Sequence, residues 1–229
     1  MCGRFTLITD PAQLQIAFPW VSFPNAMQNI PPRYNIAPSQ PVAVIPNTPP
    51  HLPDFFTWGL VPSWAKDPQI GYRLINARAE TLARKPSFRN AYRRRRCLIL
   101  ADGFFEWKAG TNPRQKTPYF IHMKDKSPFA IAGLWEIWQS ADGSEIKSCT
   151  IITTQPNSLL KPIHNRMPVI LKKQDYPVWL SPDEQPPENI QPLLAPYPAD
   201  KMIAYPVSRR VNNPANDSPE CIQPEKQVT

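Results

Sequence analysis

The sequence predicts an α+β fold, a single mixed domain with a mostly antiparallel β core and short helices. Three observations carry that expectation. The 229 residues include 31 prolines and only 7 glycines, and proline removes an amide donor and clashes inside a helix, which argues for rigid loops and against long helices. Short apolar runs of strand length recur along the chain, set apart by polar turns. No internal repeat or linker-like stretch divides the sequence, and its length suffices to bury one large core. The expected domain covers 2–222, with 223–229 a disordered tail.

Taken in order, Thr9-Asp10-Pro11 reads as a helix start, with Asp10 capping and Pro11 at the first helical position. Leu14, Ala17 and Phe18 share its apolar face and Pro19 ends it. The proline-rich stretch that follows, through Arg33-Tyr34-Asn35-Ile36-Ala37-Pro38, reads as a rigid surface loop. Strands are expected over 41–45 and 55–60, and then Val61-Pro62-Ser63-Trp64 puts an aromatic in a turn. Ser87 is expected to cap a short helix that turns Phe88, Ala91 and Tyr92 inward and Arg89 and Arg93 to Arg96 outward. A buried strand over 97–100 runs on to Asp102-Gly103-Phe104-Phe105-Glu106-Trp107. Further strands are expected over 119–123, 129–138 and 148–153, the last two joined by a hairpin turn at Ala141-Asp142-Gly143-Ser144. A loop over 161–168 enters the apolar Val169-Ile170-Leu171, and a short helix over 172–180 is interrupted by Pro177.

The net charge is +8, and its placement matters more than its size. Arg73, Arg78, Arg84, Lys85, Arg89 and Arg93 to Arg96 fall in one segment with a single acid, Glu80, so that segment holds the whole excess. Such a field reads as a polyanion footprint or as a solvated basic helix face. Cys2, Cys97, Cys149 and Cys221 include no Cys-x-x-Cys pair, and with three histidines the usual zinc spacings are excluded. No apolar run approaches the ~20 residues of a membrane span, and no signal-peptide pattern opens the chain. A reduced, cytosolic protein without metal is the expectation.

The chain begins Met1-Cys2-Gly3-Arg4. Cys2 is either a small residue in a frayed terminus or, once Met1 is trimmed, a 1,2-aminothiol whose amine and thiol titrate near pH ~8 and ~8.5. An aminothiol condenses with an aldehyde to an imine, which the thiol then closes to a thiazolidine. That chemistry needs a base for the amine, an acid for the leaving oxygen and a polar group to orient the substrate. Glu106, inside an aromatic run, either points to water by strand alternation or is buried with a raised pKa. His164 suits an acid near pH 7 as well as a structural role, and Asn76 by itself reads as a turn residue.

Together these pieces resemble the SRAP family, the SOS-response-associated peptidase-like proteins that crosslink to abasic sites in DNA. The resemblance lies in Cys2-Gly3-Arg4-Phe5, the Arg33 to Pro38 stretch, Trp58-Gly59-Leu60-Val61-Pro62-Ser63-Trp64, and Asn76-Ala77-Arg78-Ala79-Glu80-Thr81. It continues in the Asp102 to Trp107 stretch, the His164-x-Arg166-Met167-Pro168 loop, and Pro206-Val207-Ser208. The resemblance implies that Met1 is removed, by self-cleavage or by an aminopeptidase, and that Cys2 forms a thiazolidine crosslink with the aldehyde of an abasic site in single-stranded DNA. It implies Cys2, Asn76, Glu106 and His164 as catalytic residues: Glu106 holding and deprotonating the amine, His164 as acid, Asn76 orienting the sugar or Cys2. Arg4, Pro38, Trp64, Arg78, Arg84, Arg166, Ser208 and Arg209 would bind DNA, the arginines at phosphates and Pro38 and Trp64 against bases. Some bacterial members carry a second Trp where Ala65 stands.

No cofactor, metal or membrane is implied, and a monomer is expected. The chain lacks the long C-terminal extension of eukaryotic relatives, which points to a bacterial cytoplasm and association with the nucleoid at damaged DNA. The family name adds a peptidase or hydrolase label, and release of the crosslink a lyase-like one. Two rivals remain. One is an N-terminal-nucleophile glutamine amidotransferase, which also begins Met-Cys-Gly but serves a fused synthetase. The other is a non-catalytic single-stranded DNA-binding module.

Overall fold

The protein is described from a computed structural model, which covers residues 2–28, 30–111 and 115–225. Strands β1 (Phe5–Leu7), β2 (Arg33–Ile36), β3 (Pro41–Pro46), β4 (Asp54–Trp58), β5 (Asn76–Arg78), β6 (Arg96–Ala101) and β7 (Gly103–Ala109) make up the first half. Strands β8 (Lys116–Met123), β9 (Phe129–Gln139), β10 (Glu145–Thr154), β11 (Met167–Pro168) and β12 (Met202–Pro206) make up the second. The α-helices are short: α1 (Pro11–Ala17), α2 (Arg89–Arg94), α3 (Tyr176–Trp179) and α4 (Pro187–Ile190). This is the α+β architecture expected from the proline content, with pairing antiparallel everywhere except where β10 runs parallel to β4 and β5.

One sheet has the order β12-β8-β7-β1-β2. The other closes on itself: β10, β4, β3, β6 and β9 follow in order, and β9 pairs back to β10 as a small barrel. Strand β10 is shared four ways. One of its edges takes β9 and then β11, and the other takes β4 and then β5. Closure leaves no open edge along the paired stretches of the barrel, and β5 and β11 are appended at the end of β10 nearest Thr153.

Local chemistry explains most elements. Asp10 accepts the Gln13 amide at 2.8 Å and Pro11 occupies the first turn of α1, where its missing N–H has no role. The hairpin between β9 and β10 turns through Gly143 at φ 86°, as its sequence predicts. Pro177 does not interrupt a helix but opens α3, again in the first turn. All four cysteines are buried as free thiols, and no helix among the described residues is long and apolar enough to cross a membrane.

Several expectations are corrected. The stretch from Arg33 to Ile36 is a strand rather than a surface loop, because its amides are taken from both sides. Strand β1 pairs along it, and the Asp217 carboxylate accepts from the Tyr34 and Asn35 N–H groups. Asn76 lies in strand β5, opposite Ile151, not in a turn. Helix α2 begins after Phe88, without a side-chain cap, so Ser87 does not cap it.

Arg96 does not face outward. It is fully buried, and its guanidinium donates to the carbonyls of Tyr92, Arg93, Trp179, Ser181 and Asp183. At the other end, Val207 bridges Pro224 and the Glu225 N–H donates to the Pro206 carbonyl at 2.9 Å, so the described chain stays paired to Glu225. Residues 226–229 of the expected tail lie outside the described residues.

Candidate active site

Strand register places the N-terminus. Phe5 pairs with Phe104 and Thr6 with Gly103, and the Phe105 N–H donates to the Arg4 carbonyl at 2.9 Å. Continued backwards, this antiparallel pairing carries Cys2 alongside Glu106 and Trp107 on β7. Alternation along β7 then decides which side chains meet. Phe105 and Trp107 pack into an outer cluster with Val207, Val211 and Cys221, whereas Phe104 shares the main core with Cys2. Glu106, two residues from Phe104, therefore faces inward.

Cys2 is completely buried, although it stands at a chain terminus. Its carbonyl accepts the Asn76 side-chain amide at 2.8 Å. Glu106 is 1 % exposed, and burial pushes its carboxyl up from 4.5 to about 7. The same burial, with Glu106 nearby as a second cause, pushes the Cys2 thiol far above its usual range. Nδ1 of His164 lies 3.8 Å from Oε2 of Glu106. The imidazole is half-buried, and burial lowers its pKa, so the neutral ring is favoured at pH 7. Nδ1 lies within hydrogen-bond distance of the Arg166 backbone N–H, at 3.1 Å, and of the Arg166 carbonyl, at 3.3 Å.

Cys2, Asn76, Glu106 and His164 thus converge from the segment leading into β1, from β5, from β7 and from the loop before β11. A buried carboxyl titrating near neutrality beside a neutral imidazole can accept and return one proton at pH 7, which is what acid–base work requires. Among the described residues, no group of three or more His, Cys, Asp or Glu side chains is placed to hold a metal ion.

The residues expected to meet DNA divide into two sets. Arg78, Arg84 and Arg209 are exposed, and Trp64 is 56 % exposed in a turn after β4. That turn leads into a 3-10 helix over Pro68–Arg73, and the segment lines a cavity of about 400 Å³ with Lys66, Tyr72 and Arg73. Gly59, at φ 138°, lets the segment fold back, since a Cβ there would stand 2.8 Å from the Gly71 carbonyl oxygen. Pro38 is half-buried, as is Ser208, whose hydroxyl accepts the Arg210 N–H at 3.3 Å.

Arg4 and Arg166 are held inside. Arg4 donates to Asn35 Oδ1 at 2.7 Å and the Val211 carbonyl at 2.6 Å, and lies over the Trp107 ring. Arg166 is gripped by Glu80. The basic segment is also less free than its composition suggests: Arg93 and Arg94 pair with Glu184, and Arg95 with Glu136. The sequence assigns Glu80 no role of its own: it stands as the one acid among nine bases and within the Asn76 to Thr81 motif.

Comparison with known proteins gives the family. Residues 1–214 match the family described as SOS response associated peptidase (SRAP). The chain is 47 % identical over 229 residues to the abasic site processing protein YoqW of Bacillus subtilis, covering 97 % of this chain and 99 % of that one. It is 34 % identical over 196 residues to the abasic site processing protein HMCES of Mus musculus, covering 73 % of this chain and 55 % of that one. A crystal structure of a protein from Bacteroides thetaiotaomicron superposes with a TM-score of 0.87 at 28 % identity, covering 98 % of this chain and 100 % of that one. With the match running through every strand from β1 to β12, the chain belongs to the SOS response associated peptidase (SRAP) family.

Proposed function

We propose that this protein processes abasic sites in single-stranded DNA by crosslinking to them through Cys2 after removal of Met1. The observation that carries the reading is the burial of a terminal residue, Cys2, within reach of a carboxyl raised to about 7. A buried acidic group at that position is suited to proton transfer. The names of the relatives supply the substrate class.

In this reading Glu106 takes a proton from the α-amine of Cys2, whose free value lies near ~8. The neutral nitrogen attacks the aldehyde carbon of the ring-opened sugar. One proton moves from nitrogen to the oxygen, the proton held by Glu106 reaches the same oxygen through His164 as imidazolium, water leaves, and a protonated imine forms. The Cys2 thiol is driven away from ionisation by its burial, so the amine is the first nucleophile. Sulfur then adds to the imine carbon while its proton passes to nitrogen, closing the thiazolidine with no oxidant or reductant. Asn76 holds the Cys2 carbonyl and so aims the amine. Arg78, Arg84, Arg209 and the exposed Trp64 form the outer surface for phosphates and bases.

The test mixes Met1-free protein with a single-stranded oligonucleotide carrying one abasic site, followed by a denaturing gel. Wild type should give a heat-stable shifted band and Cys2→Ala none. Cys2→Ser should form the imine without sulfur capture and leave strand scission in place of a stable adduct. An N-terminal tag should abolish the reaction, and glutamine hydrolysis should be undetectable. A wild-type protein that leaves no covalent species would refute the proposal.

A further inference from the structure

The reaction outlined above makes no use of Glu80. We propose that Glu80 is a positioning residue for His164, acting through Arg166. Its carboxylate takes both arms of the guanidinium, Nη1 to Oε1 at 2.7 Å and Nη2 to Oε2 at 3.0 Å. Nη2 also donates to the Thr153 carbonyl at 2.6 Å. Glu80 stands in the 3-10 turn Ala79–Thr81 directly after β5, and Thr153 pairs with Arg78 at the end of β10. Arg166, whose side chain is only 12 % exposed, is therefore fixed to the β5–β10 junction. That junction also carries Asn76. A two-pronged pair sets orientation as well as distance.

What Arg166 does with its backbone follows. Its N–H donates to Nδ1 of His164 at 3.1 Å, and its carbonyl stands 3.3 Å from the same nitrogen. One nitrogen thus has a donor and an acceptor at hand. The neutral ring accepts the N–H and keeps its proton on Nε2; the charged ring donates Nδ1–H to the carbonyl. A histidine that gives up and regains a proton keeps a partner in both states. The rest of the loop is held by the Leu160 carbonyl, which accepts the Ile163 and His164 N–H groups at 2.8 and 2.9 Å. Those bonds fix the loop's start; the Glu80–Arg166 pair fixes the end that faces the imidazole. The kinetic consequence rests on the acid role given to His164 above, whereas the tautomer is a property of the fold alone.

Nitrogen-15 spectra of histidine-labelled protein read the tautomer directly. Wild type should hold neutral His164 as a single Nε2–H tautomer. Glu80→Ala, at a side chain 44 % exposed, should fold and give a mixture of tautomers. It should also slow crosslinking roughly 10- to 100-fold, the scale of losing a group that orients a functional imidazole. Glu80→Gln keeps the shape and one acceptor and should recover most of the rate. Arg166→Lys keeps the charge but not the fork, and should reproduce the mixture. A single Nε2–H tautomer in Glu80→Ala overturns the proposal, as does an unchanged crosslinking rate where wild type reacts. A faster reaction with tighter strand binding overturns it too, because Glu80 would then only compete with phosphate for Arg166. If wild type itself forms no crosslink, the tautomer spectra still decide the role of Glu80 while the proposed reaction alone falls.

Discussion

Replacing Glu106 by Gln should separate stability from chemistry. A carboxyl whose pKa is higher in the folded state than in the unfolded chain binds its proton more tightly when folded. Its contribution is complete below about pH 4.5 and is lost as the pH rises through about 7. The rise from 4.5 to about 7 corresponds to about 3 kcal/mol, at ~1.4 kcal/mol for each tenfold change in proton affinity. For a chain of this size that is about 5–10 °C in Tm. Glu106→Gln keeps the shape and removes the titration. The two proteins should melt together near pH 4.5 and diverge by about 5–10 °C at pH 8, with the variant the more stable.

His164 titrates in the opposite sense, its pKa lowered by burial, but it is present in both proteins and drops out of the difference to first order. The assay is a Tm series from pH 4.5 to 8 on protein retaining Met1, the state in which the carboxyl is raised to about 7. On trimmed protein the same substitution should slow crosslinking by ~10²–10⁴, the usual worth of a general base. Parallel Tm curves would refute the buried, titrating carboxyl, and an unimpaired crosslinking rate would refute its role.

Two further outcomes concern the arginines. Arg96→Ala strips the partner from five carbonyls and should lower stability by ~3–5 kcal/mol, seen as a reduced urea midpoint with an unchanged slope. Arg78→Ala should reduce the salt dependence of single-strand binding by about one phosphate contact, while Arg94→Ala, already paired with Glu184 at 2.8 Å, should change it little; equal slopes for the two would place the strand elsewhere.

The sequence made the β-rich architecture legible through proline content and short apolar runs, and the four central side chains through their motifs. It could not show how they meet. Glu106 faces Cys2 because β7 alternates and β1 is in a particular register with it, and register is a pairing between distant segments. Asn76 read as a turn residue because a three-residue strand has too few positions to show a period. Strand β2 was hidden for another reason: half of its amides are satisfied by Asp217, from the far end of the chain. The charge run misled most. Composition counts Arg93 to Arg96 as four equal cations, yet three are in ion pairs and the fourth is buried among carbonyls.

The interlock of the two chain ends has a consequence for synthesis. Residues 4 and 35 are tied to Val211, and β2 to Asp217, so β1 and β2 lack those partners until the last segment has left the ribosome. At roughly 5–20 residues per second, that interval is on the order of ten seconds or more. During it the edge of the sheet that carries Glu106 waits for its C-terminal clasp. The first strands are thereby locked by the arrival of the C-terminus.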